Sequence, residues 1–371
     1  LLFAVALVLT ASASTLISVN VEKSAKVAAT FALGLLLVLA VVIVARTGEK
    51  QRVLLGAAVI GSLAVTVPVL GTAKELVASY GGAVVDNRAI STFVDPNALG
   101  SYTAMVLFLA IGWGVSAKNR WERLGALVGG VAALAALTLT LSRGAWIGTL
   151  IGLVVFTVLH PRTRRPLVLT SVAVATAALL FLVAAPGIGG PAAVVVDRVI
   201  SIGNPNANPY DVRPITWGEA VRQYANAPAL GNGPGAFSVL SAESPSALQF
   251  QPRRHAHNGV LTTAAEMGTI GLFTGLGFVL TLGLAIWGRV RRLQAAHRYS
   301  ELGVLAGGAS ALVALSVHLF VDYPLRNPVL MVFVWTLAGL MLAVAATPSA
   351  PRMSAGAGAG RALSIYATRQ R

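Results

Sequence analysis

Residues 27–45 of the chain read VAATFALGLLLVLAVVIVA, a run that contains no charged side chain. As an α-helix, a run of this length crosses the roughly 30 Å hydrocarbon core of a bilayer. Basic residues follow it closely, at Arg46, Lys50 and Arg52. A long apolar run that ends in a basic cluster is typical of a membrane-spanning helix whose last turn lies at the cytoplasmic surface.

Comparable apolar runs recur along most of the 371 residues. The chain is 56% hydrophobic and only 11% charged, whereas about a quarter of the residues in a soluble domain are charged. The runs predict about ten spans, at residues 1–18, 27–45, 53–71, 98–116, 124–141, 144–159, 167–186, 260–287, 302–321 and 328–346. We therefore expect an all-α integral membrane protein, a polytopic helical bundle of about 10–12 transmembrane helices. Because the first run begins at Leu1 without a charged region before it, we expect further residues to precede it.

The basic residues determine the expected orientation. The net charge is +15, but Lys and Arg are concentrated in short loops, so membrane lipids rather than nucleic acids are the expected partners. The richest loops lie on one side of the predicted spans, at residues 46–52, 118–123, 162–165 and 289–298. The positive-inside rule places these loops in the cytoplasm and the intervening connections on the other side of the membrane.

This orientation divides the chain into four parts. They are N-terminal transmembrane helices at 1–186, a large outer loop with short helices at 187–256, C-terminal transmembrane helices at 257–347, and a flexible basic tail on the cytoplasmic side at 348–371. The large loop is expected to contain a helix from Pro214 to about Asn226. Structured loops of this length are usually functional lids or binding elements.

Two outer positions carry ionisable side chains beside apolar runs. Arg143 lies in LSRGAW between two predicted spans, where a cation is costly unless it has a partner; the alternative is an arginine that reaches headgroup phosphates. His257, followed by Asn258, begins the eighth apolar run. In a continuous helix Gly268, Gly271 and Gly275 lie on nearly the same face as His257, which predicts a close helix contact along that face. The alternative is an ordinary interfacial histidine.

Further polar residues are expected to contact an anionic substrate, and they are Arg253, Arg254, Asn258, Asp322 and Arg326. Arg253 and Arg254 make the start of the eighth run basic, which suits a phosphate or a lipid headgroup. Asp322 and Arg326 bracket a proline at the outer end of the ninth run, and the alternative for them is an ion pair that fixes the turn. Arg213 precedes the predicted loop helix and, taken alone, is a surface arginine.

No metal or cofactor is expected. The chain has no cysteine, carboxylates are sparse, and His255 and His257 have no third ligand nearby in the sequence. The sequence also contains no phosphate-binding glycine loop, dinucleotide fingerprint or nucleophile elbow. This argues against ATP-driven chemistry.

Four stretches of the sequence carry a family resemblance. They are FVDPNALG at 93–100, TLSRG at 140–144, Arg213 and Trp217 with PALGNG at 228–233, and His257-Asn258 followed after nine residues by Gly-Thr-Ile-Gly at 268–271. Together they resemble the O-antigen ligase and polymerase family of bacterial membrane glycosyltransferases, over about residues 90–345. The residues before this region match only as generic apolar helices.

The resemblance implies a fold similar to the C-type glycosyltransferases, with a large periplasmic or extracellular loop, in the bacterial inner membrane. The implied donor is a glycan on undecaprenyl diphosphate, and the acceptor is a lipid or glycan hydroxyl. Transfer is implied to need no metal, and the family's essential residues correspond to His257, Arg143 and Arg213. An O-antigen ligase and a polymerase remain alternatives, and a secondary transporter for an anionic solute is the alternative from another class.

The chemistry is consistent with these residue types. Neutral imidazole at His257 can take the proton of an acceptor hydroxyl at physiological pH. Without a divalent ion, guanidinium groups at Arg143 and Arg213 would stabilise the departing diphosphate. Direct attack on the anomeric carbon implies inversion of configuration. A transporter is instead expected to have broken helices and ionisable residues near mid-membrane, and an inactive scaffold to point His257 into lipid or into a sealed contact.

Overall fold

The computed structural model describes residues 1–71, 89–167, 169, 191–202, 211–245 and 255–347. These residues are largely helical and contain no β-strand. The helices before the large loop are α1 (Leu2–Leu16), α2 (Val21–Val44), α3 (Gly48–Gly61), α4 (Leu63–Gly71), α5 (Pro96–Ser116), α6 (Arg120–Leu139) and α7 (Arg143–Leu159). The remaining helices are α8 (Pro191–Ile200), α9 (Arg213–Asn226), α10 (Phe237–Ala242), α11 (Gly259–Ala295), α12 (Tyr299–His318) and α13 (Pro328–Ala346).

Nine of the ten predicted spans correspond to these helices. Seven helices within the described residues are long and apolar enough to cross a membrane, with α3 and α4 together counted as one. Helix α1 is a shorter apolar helix, and α7 is followed after a 112° bend by Pro161–Leu167. The fold is the all-α polytopic membrane bundle that the sequence predicts. The predicted span at 167–186 lies almost entirely outside the described residues, as do Arg253, Arg254 and the tail at 348–371.

Helix α12 packs closely against α5 and α7, and glycines make the contacts possible. A Cβ added at Gly148 of α7 would lie 2.4 Å from the carbonyl oxygen of Ala314, and one at Gly112 of α5 would lie 2.5 Å from that of Gly303. Small residues allow helix backbones to approach in this way. The first turns of α5 and α7 thereby lie beside the last turn of α12. We call this end of the bundle the site end.

The helix expected from Pro214 to Asn226 is confirmed as α9. Its buried Glu219 accepts hydrogen bonds from Arg222, Gln223 and Ser244, at 2.6 to 2.7 Å. Burial alone would raise the pKa of Glu219, but these three hydrogen bonds and the charge of Arg222 lower it. The Glu219 carboxylate is therefore a buried charge that its hydrogen-bond partners compensate. Through Ser244 it also ties α9 to the segment that follows α10. The division of the chain at residues 186, 256 and 347 remains a prediction.

Helix α11 is interrupted at Gly268, whose φ of 64° and ψ of −164° are not helical. The PALGNG segment at 228–233 docks against the interruption through backbone hydrogen bonds. These run from the N–H of Thr269 to Pro228 (2.8 Å), Ile270 to Ala229 (3.1 Å), Asn232 to Ala265 (3.1 Å) and Gly233 to Glu266 (2.9 Å). Two of the sequence motifs are thus halves of one backbone junction. The prediction of one continuous glycine face below His257 is wrong, because the helix does not continue through Gly268.

We expect Gly268→Ala to destabilise the protein strongly. An added Cβ would lie 2.3 Å from the carbonyl oxygen of Ala229 and 2.7 Å from the amide nitrogen of Gly231. The backbone conformation also favours glycine, and strain of this kind costs roughly 1–3 kcal/mol before the clash is added. The melting temperature of the detergent-solubilised protein should fall by several degrees.

Gly283→Ala is the matched control for this variant. Gly283 lies in the same helix, and an added Cβ there meets nothing within 4 Å among the described residues. Alanine is favoured over glycine in a helix interior by about 1 kcal/mol, so the control should melt at the wild-type temperature or above it. A wild-type melting temperature for Gly268→Ala would contradict the structural role of the junction.

Candidate functional site

An imidazole–carboxylate pair lies at the site end. His257 precedes Asn258, whose side chain caps α11 by accepting hydrogen bonds from the backbone of Val260 and Leu261. The Nδ1 atom of His257 lies 3.1 Å from Oδ1 of Asp322. The side chain of Asp322 is 3% exposed, whereas that of His257 is 26% exposed. The imidazole therefore contacts a buried carboxylate on one edge and remains accessible on another.

Asp322 is held as an anion. Asn97 donates a short hydrogen bond from Nδ2 to Oδ2 of Asp322. Burial would raise the pKa of Asp322, but the hydrogen bond with His257 and the charges of His257, His255 and His318 bring it well below its usual range. The carboxylate is therefore ionised at neutral pH and favours the tautomer that carries the His257 proton on Nδ1. In that tautomer Nε2 can accept a proton.

A polar network joins two of the sequence motifs to this pair. The hydroxyl of Ser142 in TLSRG donates to Oδ1 of Asn97 in FVDPNALG at 2.9 Å. Ser101 Oγ lies 2.7 Å from Nδ1 of His318. Gly144 leaves room for this ring, since an added Cβ would lie 2.5 Å from its Cδ2. The motifs thus position the groups around Asp322.

Guanidinium groups gather beside the pair. Each donates to a backbone carbonyl: Arg143 to Ser201 (2.8 Å), Arg198 to Leu141 (3.0 Å) and Arg213 to Val321 (3.1 Å). Burial lowers the pKa of Arg198, and the charges of Arg143 and Arg213 lower it further. Arg198 therefore lies close to both Arg143 and Arg213, and we call the three residues the arginine cluster. Because Val321 directly precedes Asp322, the cluster adjoins the imidazole–carboxylate pair, and together they favour an anionic ligand.

Arg198 is the member of the cluster that the sequence did not single out. It lies in VVVDRVIS, residues 194–201 of the outer segment. Nothing in that stretch distinguishes it from a surface arginine. The contact with Leu141 reveals its role, because it joins α8 to the turn before α7 across 57 residues of sequence.

Some residues expected to contact substrate have structural partners. Asn258 caps α11, and its Nδ2 also donates to a backbone carbonyl beyond α12 at 2.9 Å. Arg326 forms a close ion pair with Asp95, and the Asp95 side chain caps α5. Asp322 is buried against His257. Substrate contact by these residues remains a prediction, and their observed contacts all fix the site end.

One group of side chains has the composition of a metal site. The ligand atoms of His255, His257 and Asp322 lie within 4.8 Å of one another. Asp322 lies 65 residues beyond His257 in the sequence. The third ligand that is missing near the two histidines in the sequence is therefore close to them in the folded protein. One observed hydrogen bond argues against a metal at this position. Nδ1 of His255 accepts the backbone N–H of His257 at 3.1 Å, and this bond uses the lone pair that would bind a metal. Independence from metals remains a prediction.

The fold and the site define a multi-pass membrane protein with an accessible imidazole next to a cationic cluster. Residues 128–276 match the family model described as O-Antigen ligase. The match is to the family that the sequence stretches resemble. It contains three of the four stretches, the arginine cluster and His257, whereas FVDPNALG at 93–100 lies outside it. A comparison with curated proteins found no match. Over residues 128–276, which are less than half of the chain, the protein is similar to the O-antigen ligase family.

Proposed function

We propose that the protein transfers a glycan from undecaprenyl diphosphate to an acceptor hydroxyl, as an O-antigen ligase-type enzyme of the bacterial inner membrane. The observation that carries the proposal is the 3.1 Å contact between His257 and Asp322 beside the arginine cluster. The concentration of basic loops at the other end of the bundle favours a periplasmic position for the site end.

His257 acts as the general base in this proposal. Its Nε2 takes the proton from the acceptor hydroxyl while the hydroxyl oxygen attacks the anomeric carbon of the donor. The bond from that carbon to the diphosphate oxygen breaks, and its electrons pass to the diphosphate. Asp322 orients the ring and stabilises the imidazolium that forms. Because attack and departure occur on opposite faces, the anomeric configuration inverts.

The arginine cluster stabilises the leaving group. The diphosphate gains negative charge as the glycosidic bond breaks, and fixed donors lower the energy of that charge most when they are already in place. Carbonyl groups on separate segments hold Arg143, Arg198 and Arg213, so their guanidinium groups need little rearrangement. Burial of Arg198 reduces the screening of its charge by water.

The alternatives are distinguished by acceptor and by chemistry. A polymerase would use the same site with a second lipid-linked glycan as the acceptor. A transporter is expected to have a broken helix, and α11 is broken at Gly268. The carbonyls at that break, however, accept hydrogen bonds from Asn232 and Gly233 and are not open to a solute. The break therefore does not favour transport.

We expect transfer by the purified protein to be insensitive to metal chelators. In liposomes containing undecaprenyl-diphosphate-linked glycan and an acceptor, the product should show an inverted anomeric centre by NMR. EDTA should change the rate by less than about twofold, since guanidinium groups supply the positive charge that a divalent ion would otherwise provide.

Two results would overturn this proposal or part of it. If EDTA abolishes glycan transfer and a divalent ion restores it, His255, His257 and Asp322 are metal ligands. Movement of the donor across the membrane without a new glycosidic bond would replace transfer by transport. Free lipid acceptors and lipid-linked glycans, supplied separately, decide between ligase and polymerase.

A further inference from the structure

A cavity at the opposite end of the bundle has no part in the proposed transfer. Its volume is about 430 Å³. It adjoins Ser116, the last residue of α5, whereas Asn97 in the first turn of the same helix contacts the site. Positively charged side chains outnumber acidic ones in its lining, which contains Arg52, Lys118, Arg289 and Arg298 with Glu49 and Glu301.

The acidic groups do not balance the arginines around this cavity. Nε of Arg298 donates to Oε1 of Glu301 at 2.5 Å, and Nη2 of Arg289 lies 3.7 Å from Oε2 of the same carboxylate. One carboxylate therefore faces two guanidinium groups. Glu122 lies 4.0 Å from Nε of Arg52, beyond hydrogen-bond distance, and its Oε2 already accepts a backbone N–H at 2.8 Å. A net positive charge remains at the cavity.

Polar atoms of the lining are buried without a partner. Arg52 Nε, Ser116 Oγ and Arg298 Nη1 have no hydrogen-bond partner among the described residues. Ser116 is only 5% exposed. Buried polar atoms in native proteins are nearly always hydrogen-bonded. Three unpartnered atoms on side chains that line one cavity therefore indicate a polar occupant, toward which small rotations of these side chains would turn the donors. Two of the three belong to cationic groups, which favours an anion.

We propose that this cavity binds a phosphate group through Arg52, Arg298 and Ser116. Guanidinium donors match the spacing of phosphate oxygens, and a serine hydroxyl adds a further donor. The phosphate group comes either from the headgroup of an anionic lipid or from a soluble phosphate compound. The site is separate from the arginine cluster, so it does not depend on the proposed transfer reaction.

The test is the thermal stability of the delipidated full chain in detergent. Ligands that bind only the folded protein raise its melting temperature. We expect phosphatidylglycerol to raise it and phosphatidylcholine to have no effect. If inorganic phosphate also raises it, relative to chloride at equal ionic strength, the source is a soluble phosphate; a response to phosphatidylglycerol alone identifies a lipid headgroup. No response to either ligand overturns the proposal and leaves a water-filled cavity.

Variants locate the response, because the arginine cluster also attracts phosphate. Arg52→Gln and Ser116→Ala should each reduce the shift by half or more. Ser116→Ala removes only an unbonded hydroxyl and should leave the melting temperature without ligand unchanged. Arg123→Gln, an exposed arginine at the same end and outside the cavity, should keep the full shift. An undiminished shift in Ser116→Ala and Arg52→Gln places binding elsewhere and overturns the proposal, whereas glycan transfer by these variants should stay normal.

Discussion

His257→Asn is expected to lower the rate of glycan transfer by a factor of about 10²–10⁴, the usual contribution of a general base. His257 has a positive φ of 52°, and asparagine tolerates that conformation better than most residues do. The turn that leads into α11 should therefore survive while the imidazole is lost. In cells that lack the endogenous protein, at matched membrane levels, the lipid-linked donor should accumulate.

His297→Asn provides the matched control. His297 also has a positive φ, 55°, and it follows the far end of the same helix α11. It is exposed and lies at the opposite end of the bundle from Asp322, so this variant should transfer glycan at the wild-type rate. Full transfer by His257→Asn would eliminate the base and leave the scaffold and transporter alternatives.

The membrane spans could be predicted because hydrophobic length alone determines them. The predicted span at 98–116 is observed as Pro96–Ser116, and that at 328–346 as Pro328–Ala346. The helix starts coincide with local capping residues such as Asp95 and Asn327, whose side chains accept backbone N–H groups. Such signals act within a few residues of sequence.

The interruption of α11 could not be predicted in the same way. The glycine spacing after His257 fits a continuous helical face, and the hydrophobic run does not end at Gly268. The break is stable because a segment some forty residues earlier supplies the missing hydrogen bonds, as Pro228 does for Thr269. A contact of this kind depends on tertiary packing, which sequence spacing does not report.

The candidate site could likewise be predicted only in part. His257 and Arg143 stand out because an ionisable group beside an apolar run is costly unless it has a partner, whereas Arg213 stands out only through the family resemblance. Asp322 stands out too, but as a substrate contact or an ion pair with Arg326. Its contact with His257, 65 residues away, follows from the antiparallel packing of α11 and α12. Arg198 lies in an ordinary stretch and gains its importance only from its neighbours.

Removing one guanidinium group from the arginine cluster is expected to cost nearly as much as removing the base. Arg143→Gln should lower the rate of transfer by about 10²–10³, the effect of losing one preorganised donor to a developing charge. Arg143→Lys keeps the charge but loses the planar fork of donors, so an intermediate rate is expected. Arg222→Lys, a variant of an arginine that pairs with Glu219 at 2.6 Å, should transfer normally.

Binding of the product separates the arginine from the histidine. Undecaprenyl diphosphate should raise the melting temperature of the wild type and of His257→Asn, because the cluster is intact in both. The shift should be small or absent in Arg143→Gln. If Arg143→Gln instead binds undecaprenyl diphosphate as the wild type does while transfer is lost, Arg143 acts through its hydrogen bond to Ser201 and not on the leaving group. The arginine cluster would then stabilise the fold of the outer segment, and other residues would have to bind the diphosphate.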